Sequence, residues 1–172
     1  TPTYVANFVS TCQAAGLAQS GSDMVSMSDT TVRVGNFPMG IDYEKYAASG
    51  RSKAVKAAAR KYRKRYRRLR VIVAVDRLDP SKGLVERLEA YRNFLELEPK
   101  MRGKVVFSMV AAPSRMDIAS YRNLGKRLKA LADDINETYG TSKWQPVDFI
   151  NAPMPFEEVT ALYRIADVAF IA

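Results

Sequence analysis

Val71-Ile72-Val73-Ala74-Val75-Asp76-Arg77-Leu78-Asp79-Pro80-Ser81-Lys82-Gly83-Leu84 decides how the rest of the chain is read. It opens as a continuous apolar, β-branched run, the pattern of a strand buried on both faces of a parallel sheet. Asp79-Pro80-Ser81 breaks the run with turn chemistry, and Ser81 is a candidate cap for the N–H groups of a following helix. Apolar residues then return at helical spacing, at Leu84, Leu88, Tyr91 and Leu95. Two cations, Arg77 and Lys82, bracket the turn. Ligands of open α/β sheets settle at the carboxyl ends of the strands, where helix N-termini favour anions. Arg77 and Lys82 therefore read as a seat for phosphate, with surface salt bridges as the alternative.

Downstream the pattern repeats. Residues 104–111 read as a second buried strand, ended by Ala112-Pro113-Ser114-Arg115. Asp117 is placed to cap a long helix carrying Tyr121, Leu124, Leu128, Leu131 and Ile135 in register and closing at Gly140. Pro146–Ile150 reads as a third strand, 156–166 as a short helix, and Asp167–Ile171 as the start of a fourth strand. The alternation from 69 to 172 predicts an α/β fold with a doubly wound parallel sheet. Upstream, 2–17 reads as a helix with Tyr4, Val5, Phe8, Val9 and Cys12 on one face. Residues 24–27 and 31–34 read as a hairpin across Ser28-Asp29-Thr30, and 43–48 as a short helix. The Gly- and Pro-containing run Gly35–Asp42 has no periodicity and reads as a connector between domains.

The net charge of +9 is local. Residues 51–70 hold eleven Lys and Arg and no Asp or Glu; removing those eleven from the total of 27 leaves 16 basic against 18 acidic residues. A basic helix over 51–68 is expected, with Val55, Ala59, Tyr62 and Tyr66 along its apolar side. Its bland reading is a solvated face whose long stems snorkel. Nucleic-acid binding through 51–70 is the weaker alternative, since no aromatic platform beyond the two tyrosines is interleaved with the cations.

Composition excludes several chemistries. With no histidine and one cysteine, a Ser–His or Cys–His nucleophile system cannot be built within this chain, and soft-metal sites have few ligands. The single cysteine fits a reducing compartment, and no basic-then-apolar leader opens the sequence, so a cytoplasmic protein is expected. No apolar run approaches the roughly 20 residues a membrane helix needs. Arg115, in the second strand-to-helix loop, faces the same sheet edge; alone it reads as an ordinary loop charge, with a ligand role as the alternative. Asp76 and Asp79 flank Arg77 and are read as its structural partners.

These segments together resemble the trehalose-6-phosphate synthases. Val75-Asp76-Arg77-Leu78-Asp79 with Ser81-Lys82-Gly83 is similar to that family's donor-phosphate motif. Arg33–Asp42 resembles its Val-Gly-x-Phe-Pro-x-Gly-Ile segment, and Ser10-Thr11-Cys12 its Ser-Ser-Cys element. Ala112–Arg115, Ile135-Asn136, Tyr139-Gly140, Trp144 and Pro146 match in the same order. The resemblance implies a retaining glycosyltransferase with two Rossmann-like domains facing a cleft, the GT-B arrangement. Such an enzyme moves glucose from a nucleotide sugar, usually UDP-glucose, to glucose 6-phosphate, giving trehalose 6-phosphate. Residues 1–40 would end the acceptor-side domain and 41–172 would form the donor-binding domain. Arg77 and Lys82 would hold the donor pyrophosphate and carry the catalytic charge stabilisation without a metal or other cofactor. The backbone at Met154 would meet the donor base, and Arg115 the 6-phosphate of the acceptor. The expected partners are those two substrates, with room for a homo-oligomer and none for a membrane; the local charge argues against nucleic acid.

Departures from the family qualify these expectations. Pro80 stands where the family commonly has tyrosine. The chain starts beyond a donor-contacting histidine and stops short of the family's Asp-Gly-Met-Asn-Leu-Val-x-x-Glu segment, so by itself it is expected not to turn over. The donor could carry UDP, GDP or ADP. A non-catalytic regulatory subunit of the same fold and a pseudo-glycosyltransferase joining cyclitols are the competing functions.

Overall fold

A computed structural model of the chain describes residues 1–18 and 23–171 and divides into two units, Thr1–Asp42 and Tyr43–Ala172. In the first unit, α1 (Pro2–Ala14) starts at Thr1, whose hydroxyl accepts from the Tyr4 N–H, with proline at the first turn where a missing N–H costs nothing. Cys12 is buried and Val5 and Val9 half-buried, while Tyr4 and Phe8 stand exposed. β1 (Met24–Met27) and β2 (Thr30–Arg33) pair antiparallel, Met24 opposite Arg33. The turn is one residue shorter than the sequence suggests. Ser28 takes a positive φ of 52°, as the two-residue hairpin turns require at their first central position, and Thr30 already pairs with Met27.

The second unit is built on four parallel strands. Its elements are α2 (Tyr43–Arg51), α3 (Lys53–Arg65), β3 (Arg70–Arg77), α4 (Leu84–Leu97), β4 (Val105–Ala112), α5 (Ala119–Tyr139), β5 (Val147–Ile150), α6 (Phe156–Ile165) and β6 (Val168–Ala169). The strand order is β5-β4-β3-β6, and β3 pairs with β4 over its full length, from Arg70 opposite Val105 to Arg77 opposite Ala112. Period-two alternation sorts β4 between two cores. Val105, Phe107, Met109 and Ala111 meet Leu84, Leu88, Tyr91 and Leu95 of α4 and Leu128, Ala132 and Ile135 of α5. Val106 and Val110 meet Val55, Ala59 and Tyr62 of α3 and Ala161 and Leu162 of α6. Helices thus cover both faces, and the fold is the expected Rossmann-like, doubly wound sheet.

The order also fixes where a ligand would sit. From β3 the chain steps outward through β4 to β5, then returns by α6 to β6 on the opposite side of β3. Strand order reverses between β3 and β6, and the crevice beyond their carboxyl ends is the preferred ligand position of such sheets.

α3 is the basic helix expected from the sequence. Ser52 caps it, its Oγ accepting from the Val55 N–H at 3.2 Å, and Val55, Ala59 and Tyr62 are buried. Arg65 pairs with Asp148 at 2.6 Å and Lys61 lies 3.9 Å from Glu158; the other cations of the helix face solvent. Tyr66, just past the helix, donates to Asp148, its hydroxyl oxygen also lies 3.1 Å from Ser108 Oγ, and burial raises its phenol above the ordinary range. Among the described residues, no helix is long and apolar enough to cross a membrane.

Candidate functional site

β3 carries its chain to Arg77 at the carboxyl edge, and the loop that follows is braced at every step. Leu78 is fully buried and its N–H donates to the Ala112 carbonyl at 2.7 Å, which ties the loop to the end of β4. Gly125 lets α5 close on it: a Cβ there would stand 3.2 Å from Leu78 Cδ2. Pro80–Lys82 form one turn of 3₁₀ helix. Asp79, not Ser81, is its cap. Asp79 Oδ1 accepts from the Ser81 N–H at 3.0 Å and the Ser81 hydroxyl at 2.8 Å, so Ser81 donates rather than accepts. A carboxylate two residues upstream can accept both at once, which a neutral hydroxyl cannot match. Gly83 then takes the left-handed φ of 57° and caps α4 without a side chain.

Arg77 is exposed, and its Nη2 lies 3.5 Å from Asp79 Oδ2. Lys82 is half-buried; its backbone N–H donates to the Asp79 carbonyl at 3.0 Å. Asp79 is held below the usual carboxylate range chiefly by the Ser81 N–H, then by the Ser81 hydroxyl, with the charges of Arg77 and Arg115 adding to it. Two cations, Arg77 and Arg115, therefore act on the Asp79 carboxylate, and the backbone of a third cationic residue, Lys82, is tied to the Asp79 carbonyl. Both its oxygens are engaged, one on Ser81 and one on Arg77, which makes it a brace and leaves it poorly placed as a nucleophile or base. Of the two acids flanking Arg77, only Asp79 partners it. Asp76 turns inward instead, to Arg87.

Arg115 sits in the loop between β4 and α5 with a φ of 47°, an uncommon conformation for a side chain of its size. Tyr121 holds it: Nη1 donates to the Tyr121 hydroxyl at 3.2 Å, and the guanidinium carbon lies 5.8 Å from the ring centroid. The helix behind it starts at Ile118 with no side-chain cap, so the capping expected of Asp117 does not occur. The Ile118 N–H is instead taken by the Arg115 carbonyl at 2.9 Å. Met154 lies in the loop after β5, two strands from β3, half-buried against the core under α3 and α6. The structure thus brings Arg77 and Arg115 to Asp79, carries Lys82 on the same short turn, and leaves Met154 further along the same edge.

Cavities open at both ends of the sheet. One of about 480 Å³ is lined by Tyr46, Val75, Phe156, Val159, Thr160 and Tyr163, with Phe156 and Tyr46 in edge contact at 5.2 Å. Another, of about 760 Å³, opens near the amino ends of β4 and β5, beside Tyr66, Trp144 and Asp148, at the far end of the strands from Arg77. Size alone would favour the second, but the cations stand at the other end. Among the described residues, no group of three or more His, Cys, Asp or Glu side chains could hold a metal ion.

Arg87 escaped the sequence reading. It is 2% exposed, in α4, and reaches Asp76, the Lys82 carbonyl and the Phe170 carbonyl. Its signal was positional: it falls three residues after Leu84 and one before Leu88, on the apolar stripe itself. A cation there must find a carboxylate.

Comparison with known proteins gives a consistent neighbourhood. The family model described as glycosyltransferase family 20 matches residues 1–172. An α,α-trehalose-phosphate synthase (UDP-forming) of Schizosaccharomyces pombe is 38% identical over 168 residues, covering 98% of this chain and 33% of that protein. A Burkholderia xenovorans α,α-trehalose-phosphate synthase (UDP-forming), solved in complex with glucose-6-phosphate, superposes with a TM-score of 0.80 at 28% identity, over 90% of this chain and 34% of that one. The N-terminal domain of a Candida albicans trehalose-6-phosphate phosphatase superposes at 0.86 with 30% identity, over 99% and 36%. The chain spans about a third of the length of the curated relatives it matches.

Proposed function

Because the chain belongs to glycosyltransferase family 20, we propose that the whole protein transfers glucose from UDP-glucose to glucose 6-phosphate with retention, yielding trehalose 6-phosphate and UDP. The observation that carries the proposal is the approach of Arg77 and Arg115 to Asp79 beside the strand-order reversal, with Lys82 on the turn that Asp79 caps. Arg77 and Lys82 hold the donor diphosphate. As the bond to the sugar breaks, negative charge grows on the leaving phosphate, so two fixed cations stabilise the transition state more than the bound donor. Arg115, aimed by Tyr121, receives the acceptor's 6-phosphate. The Met154 backbone meets the donor base. In this reading Thr1–Asp42 belongs to the acceptor side, Tyr43–Ala172 to the donor side, and the enzyme works in the cytosol.

The test is UDP release by the purified full-length protein supplied with UDP-glucose and glucose 6-phosphate. A product carrying two α-anomeric centres supports retention. Silence with UDP-, GDP- and ADP-glucose alike overturns the proposal. That silence would favour a second reading, a non-catalytic synthase-like domain that binds partners. The likeness to a domain of a Candida albicans phosphatase is what recommends it. Against it stands the set of three cations, which a purely structural domain does not require.

A further inference from the structure

Arg87 heads the largest fully buried side chains, yet it is a cation in a core of hydrocarbons. It lies among Leu84, Leu88 and Tyr91 on the inward face of α4. Its Nη1 donates to Asp76 Oδ2 at 2.7 Å and to the Phe170 carbonyl at 3.4 Å, and its Nη2 to the Lys82 carbonyl at 2.9 Å. The guanidinium also lies 5.9 Å from the centroid of the Phe170 ring. These acceptors belong to three separate pieces of chain: the penultimate residue of β3, the last residue of the 3₁₀ turn, and the residue after β6. They surround the point where strand order reverses.

We propose that Arg87 is a positioning residue for the phosphate seat: by clamping the Lys82 backbone to the ends of β3 and β6, it sets where the Lys82 ammonium stands relative to Arg77. The inference rests on the donor-phosphate reading of those two cations. A rigid planar fork can hold three acceptors in fixed relation, which a lysine or a hydrocarbon cannot. Stability alone gives weak reason for such a residue, because a buried ion pair seldom outperforms well-packed apolar side chains of similar volume. Asp76 cancels the charge of Arg87 locally, so Arg87 acts through geometry and leaves the phosphates to Arg77 and Lys82. Lys82 is the natural target of this control. Its loop is pinned on one side by Asp79 and on the other by Arg87.

The decisive experiment is a double-mutant cycle in the full-length protein with Arg87→Lys, Lys82→Ala and the pair, reading kcat and both KM values by UDP release. Arg87→Lys should keep a cooperative melting transition and lower kcat about tenfold to hundredfold, the range expected when a reacting group is misplaced by about 1 Å. The KM for glucose 6-phosphate should stay within about twofold, since Arg115 hangs on a different loop. On a Lys82→Ala background, the same Arg87→Lys change should cost less than about twofold, because the group it positions is gone. Arg87→Lys with wild-type kcat, or a loss that multiplies in full onto that of Lys82→Ala, overturns the inference. Should Arg87→Lys fail to fold, Asp76→Asn loosens the same fork from the strand side and takes its place in the cycle. If the wild type turns over no nucleotide sugar, the proposed function falls but the cycle is still read from the affinity for inorganic pyrophosphate. No pyrophosphate binding by the wild type overturns both.

Discussion

Replacing the half-buried Lys82 by methionine keeps an unbranched stem of similar length and removes the charge. The size of the effect follows from the site. At an effective dielectric constant of about 20, unit charges about 4 Å apart interact by ~4 kcal/mol. Only the part that grows on the way to the transition state accelerates the reaction. If about half a charge moves onto the leaving phosphate, Lys82 supplies ~2 kcal/mol, or about 30-fold in kcat. Arg77 should give a loss of similar order. Its contact with Asp79 is a single one at 3.5 Å, which leaves most of its donors for a phosphate. Its 62% exposed side chain becomes desolvated only when a donor covers it. Because the two cations share one anion, the Lys82→Met/Arg77→Met double variant should lose no more than the product, about 10³-fold. The assay is UDP release by the full-length protein at saturating UDP-glucose and glucose 6-phosphate. Unchanged kcat with a raised donor KM in both single variants would refute the reasoning, because the cations would then bind ground and transition states alike.

Three further outcomes follow from the same geometry. Arg115→Ala should raise the KM for glucose 6-phosphate by about tenfold or more, the worth of a charge-assisted hydrogen bond, and leave the donor KM unchanged. Initial-rate kinetics in both substrates would check it, and a donor-side effect would count against the assignment. Phe107→Ala removes a fully buried ring packed 5.2 Å from Tyr91 and 6.1 Å from Phe170, centroid to centroid. Urea unfolding should show a loss of ~3–5 kcal/mol, and a loss under about 1.5 kcal/mol would mean that Phe107 does not anchor the core between β4, α4 and α5. Asp79 is held below its ordinary value when folded, so its contribution is complete above the ordinary carboxylate range and lost as pH falls through the depressed value. The gap in melting temperature between wild type and Asp79→Asn should therefore stay level from pH 8 to 5 and close only below about pH 4. Closure already near pH 6 would contradict that assignment.

The strands were legible because parallel sheets bury both faces. Val71–Val75 and Val105–Ala111 have little choice of environment, and the helices between them show their apolar stripes openly. What stayed hidden was chemistry at chain reversals. Ser81 and Asp79 both read as turn residues, and only the conformation shows which one accepts. Asp117 had the right type and nearly the right place for a cap, but Arg115 in the left-handed region redirects the loop, and a backbone carbonyl takes the N–H. Asp76 looked like a partner of Arg77 because they are neighbours. In a strand, however, neighbours point to opposite faces, so the two cannot share one side. β6 shrinks to Val168–Ala169, with only Ile72 and Val73 of β3 opposite it.

Pro80 shows how the loop reconciles its demands. A proline within a regular helix removes a hydrogen bond and kinks the chain. Here it occupies the first position of a single 3₁₀ turn, where an N–H has no partner to lose, and the N–H that Asp79 needs belongs to Ser81. Its fixed φ removes one freedom from the four residues between Arg77 and Lys82. Asp79 removes more by accepting twice from Ser81, and Arg87 closes the far side at the Lys82 carbonyl. Two cations carried on so constrained a loop need little reordering to meet an anion, and the entropy of ordering has been spent in folding rather than in binding. The departure from tyrosine at this position is therefore compatible with the anion seat, and it stiffens the element that presents Lys82.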